Sequence, residues 1–286
     1  MRSASANKNV ESGRIALKFA QVRGSKQSAL IPFIVAGDPD LERTQRLVLE
    51  LETRGADLIE LGVPFSDPMA DGPANQHAAA RGLAAGATLP AILALVAELR
   101  KHTQIPIILF GYFNPIFRYG CERLCADAKR AGVDGLLVVD LPPEEALELA
   151  VPARVEGLDL IYLLAPTTPP ERSRMIASSA TGFLYYVSVT GVTGARMALA
   201  SDLEQKVIAL KSITDLPIGV GFGISTAEQA REVASFADGV VVGSAISQLI
   251  EQHVASEGLV AAVGEFAGLL KKAISAARLG PGTSSA

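Results

Sequence analysis

Eight short apolar runs punctuate the chain at residues 30–35, 58–61, 105–110, 135–139, 160–164, 183–187, 218–220 and 239–242. Each is nearly continuous, without the polar alternation of a half-exposed strand, and so suits a parallel strand covered on both faces. Amphipathic stretches separate most of them. Ile92, Leu95, Val96 and Leu99 recur at i, i+3, i+4 and i+7, and Leu203, Val207 and Leu210 mark a second helical stripe. Residues 14–22 predict a further short helix ahead of the first strand.

Local signals support the same alternation. Thr168…Glu171, Ser201…Glu204 and Ser225…Glu228 read as capping boxes, and Asp38-Pro39 as an N-cap followed by a proline in the first helical position. Gly-x-Asp precedes an apolar run three times, at Gly55, Gly132 and Gly157, where glycine ends a helix in a left-handed cap and turns the chain into the next strand. Eight strands alternating with helices over about 250 residues is the rhythm of an α/β protein of the (β/α)8 TIM-barrel class. An open doubly wound sheet would want a Gly-rich turn after the first strand, and Ala36-Gly37-Asp38-Pro39 is no G-x-G-x-x-G. The expected organisation is a flexible arm over 1–13, one barrel domain with an extra N-terminal helix over 14–279, and a disordered tail over 280–286.

Composition narrows the function classes. The chain has 286 residues, 49% of them hydrophobic, with 26 Lys and Arg against 30 Asp and Glu and no basic run, so nucleic-acid binding is disfavoured. Its apolar runs are of strand length, which predicts no membrane span, and residues 1–13 lack the apolar core of a secretory signal. Cys121 and Cys125 lie one helical turn apart, and the three histidines are scattered, so neither a disulfide framework nor a metal site is expected. A reducing cytoplasm fits this usage.

In a barrel of this class the loops after the strands build the active face. Glycine-rich segments follow three successive late strands: Gly191-Val192-Thr193-Gly194, Gly221-Phe222-Gly223-Ile224-Ser225, and Gly243-Ser244 opening a helix. One such segment is ordinary turn chemistry; three together suggest main-chain N–H groups and a helix N-terminus gripping a phosphate. No P-loop lysine motif accompanies them. The strand exits also supply Asp38, Glu60, Asp71 and Asp140. Asp38 reads as a helix cap and Asp140 as a strand-end residue, whereas Glu60 shares a face with Leu58, and an inward face would set its carboxylate in the barrel mouth with a raised pKa. No lysine stands at a strand exit for Schiff-base chemistry, which leaves acid–base catalysis by carboxylates.

The fourteen residues Glu60-Leu61-Gly62-Val63-Pro64-Phe65-Ser66-Asp67-Pro68-Met69-Ala70-Asp71-Gly72-Pro73 resemble the signature of the tryptophan synthase alpha chain family. The likeness continues through Gly191 to Arg196, Gly221 to Ser225 and Gly243 to Ile246, and covers nearly the whole chain. It implies retro-aldol cleavage of indole-3-glycerol phosphate to indole and glyceraldehyde 3-phosphate. By the same resemblance, Glu60 is the general acid/base, Asp71 holds the indole N–H, and Tyr185 stands near the catalytic Glu. Gly194, Gly223, Gly243 and Ser244 fall at the phosphate, while Phe33, Tyr112, Leu137 and Phe222 line the indole pocket. Asp67 and Pro68 face the partner, and 64–71 and 189–200 are the loops that close the site. The chain needs no cofactor of its own; the partner is a beta chain carrying pyridoxal phosphate, in an alpha2beta2 heterotetramer. Two positions depart from the pattern. Asn75 stands where an aliphatic is common, which puts an apolar contact in doubt, and Val189 stands where some members have arginine.

Three other readings stay open on the sequence: a phosphate-binding sugar isomerase on the same barrel, a non-catalytic activator of a beta chain, and a lyase that works without a partner. An isomerase assay, the intact Glu60/Asp71 pair, and assay with and without a beta chain discriminate them in turn.

Overall fold

The computed structural model describes residues 13–188, 196–221 and 223–277, with side chains omitted over 196–201. Eight parallel strands close into a barrel in sequence order: β1 (Ala29–Val35), β2 (Ile59–Gly62), β3 (Ile107–Gly111), β4 (Gly135–Val138), β5 (Asp159–Leu164), β6 (Leu184–Val187), β7 (Ile218–Gly221) and β8 (Gly239–Val242). The expected strands are all present, their ends moved by no more than two residues. The helices are α1 (Arg14–Gly24), α2 (Leu41–Thr53), α3 (Pro73–Ala84), α4 (Leu89–Leu99), α5 (Phe113–Tyr119), α6 (Cys121–Ala131), α7 (Leu147–Glu156), α8 (Pro170–Ser179), α9 (Arg196–Lys211), α10 (Ala227–Ala234), α11 (Ser244–His253) and α12 (Leu259–Ala277). No single described helix is long and apolar enough to cross a membrane.

Strand parity sorts the apolar residues into two cores. Ile59, Leu61, Ile107 and Leu109 pack outward against the helices. Leu58, Ile108, Phe110, Leu137, Ile161, Phe183 and Tyr185 fill the lumen, where α1 adds Ile15, Phe19 and Val22 as a plug at the N-terminal end. Phe19 meets Phe183 with ring centroids 5.5 Å apart. Glycines at lumen positions leave the room these side chains need. A Cβ at Gly219 would press on the Phe183 ring at 3.0 Å, and one at Gly221 would overlap the Tyr185 hydroxyl. With both glycines facing the lumen, β7 sends no side chain into it.

At the N-terminal end a carboxylate or hydroxyl just ahead of each even strand accepts an N–H from the first or second residue of the preceding odd strand. Asp57 accepts from Leu30 at 2.8 Å, Asp134 from Ile107 at 2.8 Å, Thr181 from Leu160 at 2.8 Å and Asp238 from Ile218 at 3.0 Å. Cations complete the aspartates: Lys271 on Asp57, Arg14 and Arg100 on Asp134, and Lys211 on Asp238. The Gly-x-Asp repeat thus has two functions. Gly132 and Gly157 end their helices in the left-handed region and Gly55 follows with φ +97°, while two of the three aspartates staple strand pairs.

The helix starts differ from the expected ones. Asp40, not Asp38, caps α2, accepting from Arg43 N–H at 2.7 Å. Asp38 is instead buried against Arg81, whose guanidinium forks onto both its oxygens at 2.7 and 2.9 Å. The box at the start of α10 is Thr226 with Gln229, one residue past the expected pair. Thr168 turns back to accept from Ala165 N–H, so Pro169 stands at the cap of α8, and Ser201 lies inside α9. A hydroxyl and a carboxylate three apart fit several registers, and side-chain partners in the loop decide among them.

Candidate active site

Glu60 owes its position to β2. The strand alternates Ile59 and Leu61 toward the helices with Leu58 and Glu60 toward the lumen, and Glu60 sits level with Phe33 of β1 and Ile108 of β3. Its side chain is fully buried, and neither carboxylate oxygen has a hydrogen-bond partner among the described residues. An ionised carboxylate in such surroundings gives up its hydration for nothing, so burial pushes the pKa up to about 8. At neutral pH Glu60 is a protonated acid.

Asp71 closes the loop that follows β2, just ahead of the Gly72 cap of α3. The Tyr112 hydroxyl donates to its Oδ2 at 2.8 Å and accepts from Ala70 N–H at 3.0 Å, fastening the loop to the end of β3. Phe65 of the same loop packs on the Tyr112 ring at 5.4 Å. Burial raises the Asp71 pKa, while hydrogen bonds from Tyr112 and Asn75 act in the opposite direction. Tyr185 is buried beside both acids, and burial pushes its phenol well above the ordinary tyrosine value, so it stays a neutral hydroxyl.

These groups share one cleft of about 410 Å³, lined by Phe33, Glu60, Asp71, Asn75, Phe110, Tyr185, Gly223, Ile224, Val241, Gly243 and Ser244. Its floor is aromatic, with Phe33 and Phe110 edge to face at 5.0 Å. The far wall is the turn after β7, where Gly223 has φ +76°, and the first turn of α11, capped by Gly243. A Cβ on Gly243 would stand 3.2 Å from the Phe33 ring, so glycine lets this wall close on the floor. N–H groups in a first helical turn have no intrahelical acceptor and lie at the positive end of the helix dipole, a natural seat for an anion. A second recess, lined by Tyr112, Phe65 and Pro68 among others, adjoins the first and shares Phe33, Asp71, Asn75 and Phe110 with it.

The cleft therefore gathers Glu60, Asp71, Tyr185, Gly223, Gly243, Ser244 and Phe33, with Tyr112 one hydrogen bond away. Leu137 is fully buried in the lumen core and lines neither recess. Asp67 is exposed, its carboxylate accepting from the neighbouring Ser66 hydroxyl at 2.5 Å. Gly194, Phe222 and Val189 lie outside the described residues. Asn75 lines the cleft as a polar residue, its Oδ1 accepting from Ser247 at 2.9 Å. Phe110, Ile224 and Val241 join the lining without having been singled out in the sequence; the parity of Phe110 with the lumen residue Ile108 was the available sign. Among the described residues no group of three or more His, Cys, Asp or Glu is placed to hold a metal ion.

A sequence model of the family described as "Tryptophan synthase alpha chain" matches residues 19–275. The chain belongs to the tryptophan synthase alpha chain family. The tryptophan synthase alpha chain of Geobacter sp. (strain M21) is 57% identical over 91% of this chain and 97% of its own length, and that of Gloeobacter violaceus is 52% identical over 91% and 95%. Among solved structures, tryptophan synthase subunit alpha from Legionella pneumophila str. Paris superposes with a TM-score of 0.86 at 40% identity, covering 93% of this chain and 99% of that one. The family assignment makes the chain an alpha subunit, a lyase of tryptophan biosynthesis.

Proposed function

We propose that Glu60 and Asp71 divide the cleavage of indole-3-glycerol phosphate between them. Glu60, protonated by its burial, gives its proton to indole C3, and the ring becomes a cation with its charge shared onto N1. Asp71, across the cleft, accepts the N1–H and balances that charge. The Glu60 carboxylate left behind takes the proton of the glycerol hydroxyl next to the ring. The O–H electrons form the aldehyde C=O, the C–C bond to the ring breaks, and its electrons restore the aromatic indole. Glu60 ends protonated, ready for another turnover, with glyceraldehyde 3-phosphate and indole as products. Tyr185 presents a neutral hydroxyl beside the two acids. Phe33 and Phe110 give the flat ring an apolar floor, and Gly223, Gly243 and Ser244 seat the phosphate against main-chain N–H groups.

The observation that carries this reading is a fully buried, unpartnered carboxylate in one cleft with Asp71 and the glycine wall. The test is indole release by the full-length chain. Glu60→Gln is expected to lower turnover ~10²–10⁴-fold, the usual share of general acid–base catalysis, in a protein with unchanged circular dichroism. Asp71→Asn is expected to lower it ~10²–10³-fold, since an amide offers no charge to the cationic ring. A folded Glu60→Gln variant of near-normal turnover removes Glu60 from this role.

On the same reading the chain works with a beta chain that carries pyridoxal phosphate, in an alpha2beta2 assembly in the cytoplasm. The exposed Asp67 loop beside the cleft is the surface offered to that partner. The buried free thiols of Cys121 and Cys125 are in keeping with a reducing compartment. Adding a beta chain to the indole assay tests the partnership directly.

A further inference from the structure

We propose that Asn75 is a positioning residue for Asp71, its amide N–H directed at the Asp71 carboxylate because its carbonyl oxygen is held by Ser247 of α11. The proposal rests on the role given to Asp71 above. Asn75 lies in the first turn of α3, four residues after Asp71, and lines both recesses. Ser247, 1% exposed and one turn into α11, donates its hydroxyl to Asn75 Oδ1 at 2.9 Å. An amide has one accepting and one donating end, so this bond turns the NH2 the other way, into the recesses that Asn75 lines together with Asp71. The reversed amide would set an oxygen against the Asp71 carboxylate, two acceptors face to face.

The pair of helices that holds this geometry is tied at a second level. Arg81 of α3 reaches Glu251 of α11 at 3.1 Å while its other nitrogens fork onto the buried Asp38, and His77 meets the same Glu251 oxygen at 3.0 Å. The helix whose first turn forms the glycine wall thus also aims the group that fixes Asp71, 172 residues away in sequence. Asp71 is half-buried, and among the described residues the ionisable groups facing it, Glu60 on β2, Tyr112 after β3 and Tyr185 on β6, supply no positive charge. Two neutral donors, Tyr112 and Asn75, oppose the effect of burial. An aliphatic residue at 75 would leave one.

The experiment follows the side-chain carboxyl of Asp71 by carbon-13 NMR titration in the full-length chain, its signal identified by its absence from Asp71→Asn, alongside indole release from indole-3-glycerol phosphate. Asn75→Leu is expected to raise the Asp71 midpoint by about one pH unit, the size of one hydrogen bond to a carboxylate, and to lower kcat about tenfold with KM changed less than about threefold. Ser247→Ala, which frees the amide to turn without removing it, moves the midpoint in the same direction by less, and it reads the same contact should the leucine variant fail to fold. An unmoved Asp71 midpoint in either folded variant overturns the proposal and leaves Asn75 as a tie between two helices. Full turnover in Asp71→Asn would instead strike the role of Asp71, while the titration still reports whether Asn75 bonds it.

Discussion

Replacing Glu60 by glutamine is expected to stabilise the protein at alkaline pH in the same stroke that removes its activity. The carboxyl titrates near 4.5 in an unfolded chain and at about 8 in the folded one. Between those values the unfolded chain has released a proton that the folded chain keeps, so stability falls as pH rises. Below 4.5 both states are protonated and nothing is lost; above 8 the loss is complete. A difference of about 3.5 units (8 minus 4.5) corresponds to about 5 kcal/mol in all, of which about 3–4 kcal/mol falls between pH 5 and pH 8. An amide at position 60 also lacks partners, but that cost is the same at every pH, so the pH dependence of the difference isolates the carboxyl. The assay is thermal melting of wild type and Glu60→Gln at pH 5 and pH 8. At about 2–3 °C per kcal/mol, the gap in Tm should shift in favour of Glu60→Gln by roughly 6–12 °C from the lower to the higher pH. A gap that stays constant across that range would mean Glu60 is ionised in the folded protein, and the acid role assigned to it would go.

Two further substitutions probe the scaffold and the cleft separately. Asp134→Ala leaves the Ile107 N–H and the guanidinium of Arg100, 11% exposed, without their shared acceptor, and should cost about 3–5 kcal/mol in chemical denaturation, with turnover per folded molecule unchanged. Gly221→Ala sets a methyl group where the Tyr185 hydroxyl lies, so Tyr185 must leave its place beside Glu60. Steady-state kinetics should show kcat reduced by about tenfold or more in a folded protein, and unchanged kcat would mean the position of Tyr185 is immaterial.

What could be read from the sequence divides along the range of the interactions. Strands and barrel were legible because buried parallel strands leave continuous apolar runs, a signal contained in each segment. Glu60 was legible because a carboxylate interrupts such a run, and parity alone turns it inward with Leu58. Asp38 shows the limit: beside a proline it reads as a cap, yet its partner Arg81 is 43 residues on, and the cap passes to Asp40. The aspartates of the Gly-x-Asp repeat looked like turn residues because the N–H groups they accept, on Leu30 and Ile107, lie 27 residues back on another strand. Gly219 and Gly221 carried no sign of Phe183 and Tyr185, the aromatic side chains that they accommodate. Asn75 was visible as a departure from the family pattern, but its meaning depends on Ser247 at the other end of the chain.

Glu60 differs from the other buried carboxylates of the barrel in having no partner among the described residues, and the difference is what makes an enzyme of the scaffold. At the N-terminal end Asp57, Asp134 and Asp238 each meet a strand N–H and at least one cation, so desolvation is offset where the strand pairs begin. At the C-terminal end Asp38 has Arg81, but Glu60 has no hydrogen-bond partner among the described residues, and the same burial makes it a neutral acid at the pH where water alone would ionise it. An unpartnered carboxyl could be relieved by a shift of β2 by one residue, which would turn Glu60 outward. That shift would also bury Ile59 and Leu61 in the lumen and expose Leu58 to the helix layer, and it would break the Asp57 staple to Leu30. The register that fixes the staples is the register that holds Glu60 in place, so the stability of one end maintains the strain, and with it the chemistry, of the other.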